Sequence, residues 1–202
     1  MLSAKKLSKT IQEFPGISYQ GFVTRYVDAS AFELGGKNCF YDIGPQQDGQ
    51  RYTPKGGGRG IYAAEDVHTA GAEVEQVGGL AALCPNRIAT RQRLDMQVSL
   101  NSVLDLGNAH LRQRLKTSLQ ELRLPWRGGL LPPFTWPATW LLGDAVFKSE
   151  RFDGIRFPSS QLHRRYCLLI LTERLGNGAE LLAERPGEGI IACRGSYKLR
   201  IS

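Results

Sequence analysis

In the stretch Gly60-Ile61-Tyr62-Ala63-Ala64-Glu65-Asp66-Val67-His68-Thr69-Ala70-Gly71-Ala72-Glu73-Val74, a short strand runs directly into a helix. Its first four residues are typical of a strand. Asp66 then suits the N-cap position, because its carboxylate can accept hydrogen bonds from the N–H groups of the first turn. Apolar residues recur at helical spacing after it, which predicts a helix to about Val77 that carries Glu73.

The segment before this strand, from Gly35 to Gly60, is too rich in glycine for a regular element and is predicted to be a long loop. Within it, Pro54-Lys55-Gly56-Gly57-Gly58-Arg59-Gly60 offers backbone N–H groups and two cations that suit a phosphate. A glycine-rich basic turn is more often a flexible, solvated loop. By itself, the run favours that second interpretation.

The rest of the chain alternates between helix and strand patterns. Ser3–Phe14 indicates a short basic helix that Pro15-Gly16 ends. Alternating or β-rich runs predict strands at Ile17–Val27, Leu94–Leu100, Gly154–Phe157, Tyr166–Thr172 and Gly189–Arg200. Apolar spacing of three or four residues predicts helices at Leu111–Leu122, ended by Pro125-Trp126, and at Trp136–Ser149, with Thr135 as its cap and Pro137 in its first turn.

These elements predict one mixed α+β domain with a central β core and flanking helices. No internal repeat or linker divides the chain. We expect a helical extension over residues 1–16 and the domain itself over 17–202. The hydrophobic fraction of 42% and the charged fraction of 22% are ordinary for a globular protein and exclude a disordered or coiled-coil chain.

The sequence has no membrane-spanning or secretion signal. No apolar run approaches the roughly 20 residues that cross a bilayer. Met1–Phe14 lacks the apolar stretch of a signal peptide. We therefore expect a soluble protein in the cytoplasm, either of the cell that makes it or of a target cell, with no membrane partner.

The net charge of +7, from 26 Lys and Arg against 19 Asp and Glu, favours an anionic partner. Basic clusters at Lys5-Lys6 and His163-Arg164-Arg165 suggest nucleic acid, but no aromatic RNA-binding motif or recognition helix accompanies them. A solvated surface is the favoured interpretation. Four scattered cysteines and three histidines indicate neither a metal site nor a disulfide framework.

Several catalytic signatures are absent from the sequence. It has no glycine–lysine P-loop, no G-x-G-x-x-G turn, no G-x-S-x-G elbow and no H-E-x-x-H pair. The sequence therefore does not support membership of the four enzyme classes that these motifs mark.

A series of ordered motifs resembles the RES domain. Arg51-Tyr52-Thr53-Pro54 is followed after about ten residues by Tyr62, which is eleven residues before Glu73. Later landmarks of the family follow in order as Val103-Leu104-Asp105-Leu106, Pro125-Trp126 and Phe152-Asp153-Gly154-Ile155-Arg156-Phe157-Pro158-Ser159. This family is similar in fold to ADP-ribosyltransferases, and its characterised members are toxins of bacterial toxin–antitoxin pairs that destroy NAD.

The resemblance implies the residues of an NAD site. The arginine, glutamate and serine of the family's name correspond to Arg51, Glu73 and Ser159, and its tyrosine corresponds to Tyr62. An earlier arginine–tyrosine pair corresponds to Arg25-Tyr26. No metal is implied, and NAD is the substrate.

The chemistry of NAD explains these residue types. The fork of an arginine binds phosphate oxygens in a bidentate manner, so Arg25 and Arg51 suit the pyrophosphate. Tyr62 offers a flat face and a hydroxyl for the nicotinamide. Cleavage of the N-glycosidic bond builds positive charge on the ribose, which the carboxylate of Glu73 would stabilise. Ser159 is expected to hydrogen-bond the carboxamide or the ribose.

Three functions remain open at this point. The favoured one is a toxin that depletes NAD by hydrolysis or phosphorolysis, held in check by a cognate antitoxin or immunity protein. The second is ADP-ribosyl transfer to a protein, which would use the same pocket. The third, ranked below the other two, is a non-catalytic basic domain that binds nucleic acid. For the favoured function, contact with nucleic acid is expected only through a partner.

Overall fold

The computed structural model describes residues 1–29, 40, 49–77, 91–126 and 136–194, and the account below concerns these. The helices are α1 Ala4–Glu13, α2 Val67–Val77, α3 Ala109–Leu115, α4 Leu119–Arg123 and α5 Ala138–Ser149. The strands are β1 Ile17–Asp28, β2 Ile61–Ala64, β3 Arg91–Asp105, β4 Gly154–Pro158, β5 Tyr166–Ile170, β6 Glu180–Arg185 and β7 Gly189–Arg194.

The strands form one sheet in the order β1-β2-β5-β4-β3-β6-β7. Because β1 also pairs with β3 from Ile17 to Asp28, the first five of these strands close into a ring, and β6 and β7 extend from it. Strands β3 and β4 run parallel, and the other described pairs are antiparallel. The predicted α+β class with a central β core and flanking helices is confirmed.

The two faces of the sheet bury different side chains. On β5, Cys167 and Leu169 point into a cluster that they share with α1, α3, α4 and α5, which we call the helix-side cluster. Leu168 and Ile170 point into a second cluster formed largely among the strands, the strand-side cluster. Successive side chains of a strand point in opposite directions, so burial on both faces explains why β5 is apolar at four consecutive positions.

Helix α1 packs into the helix-side cluster. Its residues Leu7 and Ile11 are one turn apart and fully buried, so they lie on the same face of the helix. The division of the chain at residue 16 stays a prediction.

Asp153, in the last of the ordered motifs, ties two strands together. Its buried carboxylate accepts hydrogen bonds from the backbone N–H groups of Asn101, Ser102 and Gly176 at 2.7, 3.0 and 2.8 Å. A carboxylate with three such donors is well stabilised inside a protein. These hydrogen bonds of Asp153 therefore fix the start of β4 against β3.

Arg156, in the same motif, is the centre of an ion-pair network. It donates to both carboxylate oxygens of Glu65 and to Asp105, and its guanidinium lies 3.8 Å from the centre of the Tyr166 ring. Burial by itself lowers the pKa of Arg156, but the two carboxylates outweigh this and raise it. The network joins β4 to the segment that leads into α2.

The helix predicted over Leu111–Leu122 is wrong, because the structure has two helices there. Lys116 takes a left-handed conformation with φ of 51° and ends α3. Ser118 then caps α4 by accepting a hydrogen bond from the Glu121 N–H. The helical spacing of these apolar residues persists across the break because Leu111 and Leu115 of α3 and Leu122 of α4 are buried in the same cluster.

Other differences concern the bounds of elements. Strand β6 was not predicted, because its buried Leu181, Leu182 and Ala183 are consecutive and do not alternate with polar residues. Helix α5 begins after Pro137 rather than at Trp136, and its predicted cap Thr135 lies outside the described residues. Much of the predicted loop before Gly60 also lies outside them. No helix in the described ranges is long and apolar enough to cross a membrane.

Candidate active site

Helix α2 holds Glu73 above the end of the sheet. The predicted cap is present, since Asp66 accepts hydrogen bonds from the N–H and the hydroxyl of Thr69 at 2.9 and 2.7 Å. Burial raises the pKa of Asp66, but these hydrogen bonds outweigh it and hold the pKa below its usual value. With the start of the helix fixed, Glu73 lies two turns further along on a half-buried face.

The carboxylate of Glu73 is held by two consecutive serines that follow β4. Its Oε1 accepts from the Ser159 hydroxyl at 2.6 Å and from the Ser160 backbone N–H at 2.8 Å. Its Oε2 accepts from the Ser160 hydroxyl at 3.0 Å. The structure thus brings together the predicted Glu73 and Ser159 and fixes the carboxylate from two directions.

The Ser159 hydroxyl donates its proton in a hydrogen bond to Glu73. This hydroxyl is fully buried and also accepts hydrogen bonds from the backbone N–H groups of Gln161 and Leu162, both at 3.1 Å. A hydroxyl has one proton to donate. In this arrangement Ser159 orients the carboxylate, whereas its predicted contact with the substrate stays a prediction.

Tyr62 on β2 is joined to the turn that carries the first motif. Its hydroxyl accepts a hydrogen bond from the Tyr52 N–H at 2.9 Å and lies 3.2 Å from the Thr53 hydroxyl. Its ring packs edge-on against Phe157 with a distance of 6.1 Å between the ring centres. The tyrosine therefore fixes the position of the residues next to Arg51.

Arg51 is anchored at the end of α4. Its Nη1 donates to the carbonyl oxygens of Leu122 and Leu124, both at 3.1 Å. The last carbonyls of a helix have no partner within the helix, so a cation is favourable there. One nitrogen of the guanidinium is thereby engaged with the fold.

The charges of Arg51 and Glu73 affect the pKa values of two buried groups, the Cys167 thiol and the Tyr52 phenol. Burial raises the pKa of the Cys167 thiol; the charge of Glu73 raises it further and that of Arg51 lowers it. Burial likewise raises the pKa of Tyr52, with Arg51 lowering it and Glu73 raising it. Both buried groups therefore stay protonated.

Arg25 and Tyr26 lie on opposite faces of β1, because they are neighbours on a strand. Tyr26 packs against the helix-side cluster, as Tyr62 does. Arg25 shares its face with Val23 and Val27, whose side chains belong to the strand-side cluster, and its Nε and Nη1 are buried. The structure brings Tyr26 to the side of the sheet that carries Tyr62 and places Arg25 across the strand.

The interpretation of the glycine-rich run as a flexible, solvated loop is wrong for two of its glycines. Gly58 and Gly60 are buried. A Cβ at Gly58 would lie 2.0 Å from the Phe147 ring, and one at Gly60 would lie 2.4 Å from the Leu169 side chain. These glycines let the backbone pack against α5 and β5.

Two residues of this region were missed by the sequence analysis. Ser160 was overlooked beside Ser159, although the doubled serine after Pro158 is a visible signal. Tyr52 was counted only as the aromatic of the motif, although its backbone holds Tyr62. Across the described ranges, no group of three histidine, cysteine or acidic side chains is placed to hold a metal ion.

A family model of the RES domain matches residues 28–187. The chain belongs to the RES domain family. A comparison with curated proteins found no match. Among solved structures, this RES domain is similar to a chain of the M. tuberculosis MbcT–MbcA toxin–antitoxin complex. The two are 16% identical, with a TM-score of 0.65, and the match covers 94% of this chain and 91% of that chain.

Proposed function

We propose that this RES domain protein cleaves NAD between nicotinamide and ribose and is the toxin of a toxin–antitoxin pair. The observation that carries the proposal is the carboxylate of Glu73, which two serines hold by three donors. Tyr62 packs against the helix-side cluster, and Arg51 donates to the carbonyl of Leu122, which belongs to that cluster. A carboxylate fixed before the reaction costs no reorganisation when positive charge develops.

The reaction breaks the bond between C1′ of the ribose and the pyridinium nitrogen. The bonding electron pair leaves with nicotinamide, and C1′ becomes an oxocarbenium-like centre that Glu73 stabilises. Arg51 holds the pyrophosphate, and Tyr62 lies against the nicotinamide. A water oxygen then bonds to C1′ and loses a proton, giving ADP-ribose; phosphate as the acceptor gives ADP-ribose phosphate.

Purified protein is expected to consume NAD and release an equal amount of nicotinamide. The products are resolved by mass spectrometry, with and without inorganic phosphate, so that hydrolysis and phosphorolysis are distinguished. ADP-ribose on added cell proteins would identify the protein-modifying alternative. Intact NAD under all conditions, together with salt-dependent binding of nucleic acid, would overturn the proposal in favour of a non-catalytic domain.

We further propose a cognate antitoxin or immunity protein that docks through an acidic segment. The chain carries +7, and a carboxylate could occupy Arg51 in place of the pyrophosphate. Expression alone is expected to stop growth and lower cellular NAD, and co-expression with the product of the neighbouring gene should restore both. Harmless expression of the wild type without any partner would contradict the toxin function.

A further inference from the structure

Tyr52 is fixed on three sides. Its N–H donates to the Tyr62 hydroxyl, and its ring lies 4.7 Å from the ring of Phe157. Its carbonyl oxygen packs so closely against Gly143 of α5 that a Cβ there would lie 1.6 Å away. The side chain is therefore held between β4 and α5 before any ligand arrives.

The hydroxyl of Tyr52 is a polar group that the fold leaves unused. The residue is 1% exposed, and its Oη has no hydrogen-bond partner among the described residues. A buried polar atom without a partner lowers stability, and nearly all such atoms in native proteins are paired. Phenylalanine would pack in the same place without this cost, so the hydroxyl calls for a functional explanation.

The surroundings of this hydroxyl are those of the candidate active site. The rings of Tyr52 and Tyr62 both pack against Phe157, which is two residues before Ser159, and the Tyr52 N–H donates to the Tyr62 hydroxyl, so Tyr52 lies beside the predicted catalytic residues. The nearby serine hydroxyls already donate to Glu73. Because burial keeps the Tyr52 phenol protonated, it remains available as a donor.

We propose that the Tyr52 hydroxyl donates a hydrogen bond to the carboxamide oxygen of the nicotinamide ring and so determines specificity for that leaving group. The inference rests on the proposed function, because it needs NAD at Glu73. It explains why a buried tyrosine is fixed so firmly while its polar atom has no partner in the fold. Because the Tyr52 side chain is already ordered before NAD binds, the contact costs less conformational entropy.

The test compares Tyr52→Phe with the wild type on two substrates, NAD and the analogue in which pyridine replaces nicotinamide. A neutral hydrogen bond is worth about five- to tenfold, so kcat/KM for NAD should fall by about that factor. For the analogue, which has no carboxamide, the variant and the wild type should agree within about twofold. The melting temperature of the variant should be equal or higher.

Tyr166→Phe is the matched control. Tyr166 is the neighbour of Cys167 on β5, so its ring lies on the opposite face of the sheet, beside Arg156. The Tyr166→Phe variant should cleave both substrates at the same rate as the wild type. An unchanged kcat/KM of Tyr52→Phe for NAD, or an equal fall for both substrates, would overturn the inference. Failure of the proposed function would appear in the wild type itself as intact NAD.

Discussion

Replacing Glu73 by glutamine is expected to lower kcat for NAD cleavage by about a hundredfold or more while the protein stays folded. The amide carbonyl can still accept the hydrogen bonds of the Ser159 hydroxyl and the Ser160 N–H, which now reach Oε1. The amide N–H can donate to the Ser160 hydroxyl, which is also able to accept. Only the negative charge is lost, and in the proposed reaction that charge stabilises the ribose cation.

Glu73→Ala should lose a similar activity and also some stability, because it leaves the buried Ser159 hydroxyl without its acceptor. Initial rates of nicotinamide release and a thermal melt of each variant separate the two effects. Glu13→Gln is the matched control, since Glu13 is an exposed glutamate at the end of α1 that pairs with Arg114. Glu73→Gln activity within about threefold of the wild type would remove Glu73 from the reaction.

The same variant connects the chemistry to toxicity. Expression of Glu73→Gln without a partner should leave growth and cellular NAD unchanged, because the protein folds but does not cleave. If the folded but inactive variant stopped growth as the wild type does, toxicity would have to come from binding alone.

The strand-to-helix unit around Glu73 could be predicted because its signals are local. The N-cap Asp66 and the short apolar run before it specify β2 and α2 without reference to the rest of the chain. The pairing of Glu73 with Ser159 is not local. Only the resemblance of ordered motifs predicted that both belong to one site, and the topology brings them together by placing β2 and β4 on either side of β5.

Other parts of the site depend on tertiary contacts that no sequence pattern specifies. The anchoring of Arg51 requires the end of α4 to lie beside it, and α4 is a separate helix because α3 ends at Lys116. Strand β6 escaped prediction because both of its faces are buried. Asp153 and Arg156, in contrast, belong to the last of the ordered motifs. Their hydrogen bonds hold the sheet together, which gives these two motif residues a structural role.

Arg51→Ala is expected to raise KM for NAD by about a hundredfold, because it removes the two charge-assisted hydrogen bonds that we propose to the pyrophosphate. Within the described structure, Nη1 is engaged with the carbonyls of Leu122 and Leu124, while Nε and Nη2 have no partner. These two nitrogens form the edge that binds phosphate oxygens in a bidentate manner. The fold should survive with some loss of stability, because water can replace the arginine at the exposed Leu124 carbonyl, whereas the part-buried Leu122 carbonyl loses its donor.

Arg51→Lys distinguishes the shape of the guanidinium from its charge. An ammonium group keeps the charge, but all three of its N–H donors are on one nitrogen. It therefore cannot bind the end of α4 and two phosphate oxygens at once. We therefore expect lysine to recover less than about tenfold of the lost affinity. Arg114→Ala, which breaks the exposed pair with Glu13, controls for the loss of one positive charge and should leave KM unchanged. Full recovery by lysine would show that Arg51 acts only as a point charge, and bidentate recognition of the pyrophosphate would then be wrong.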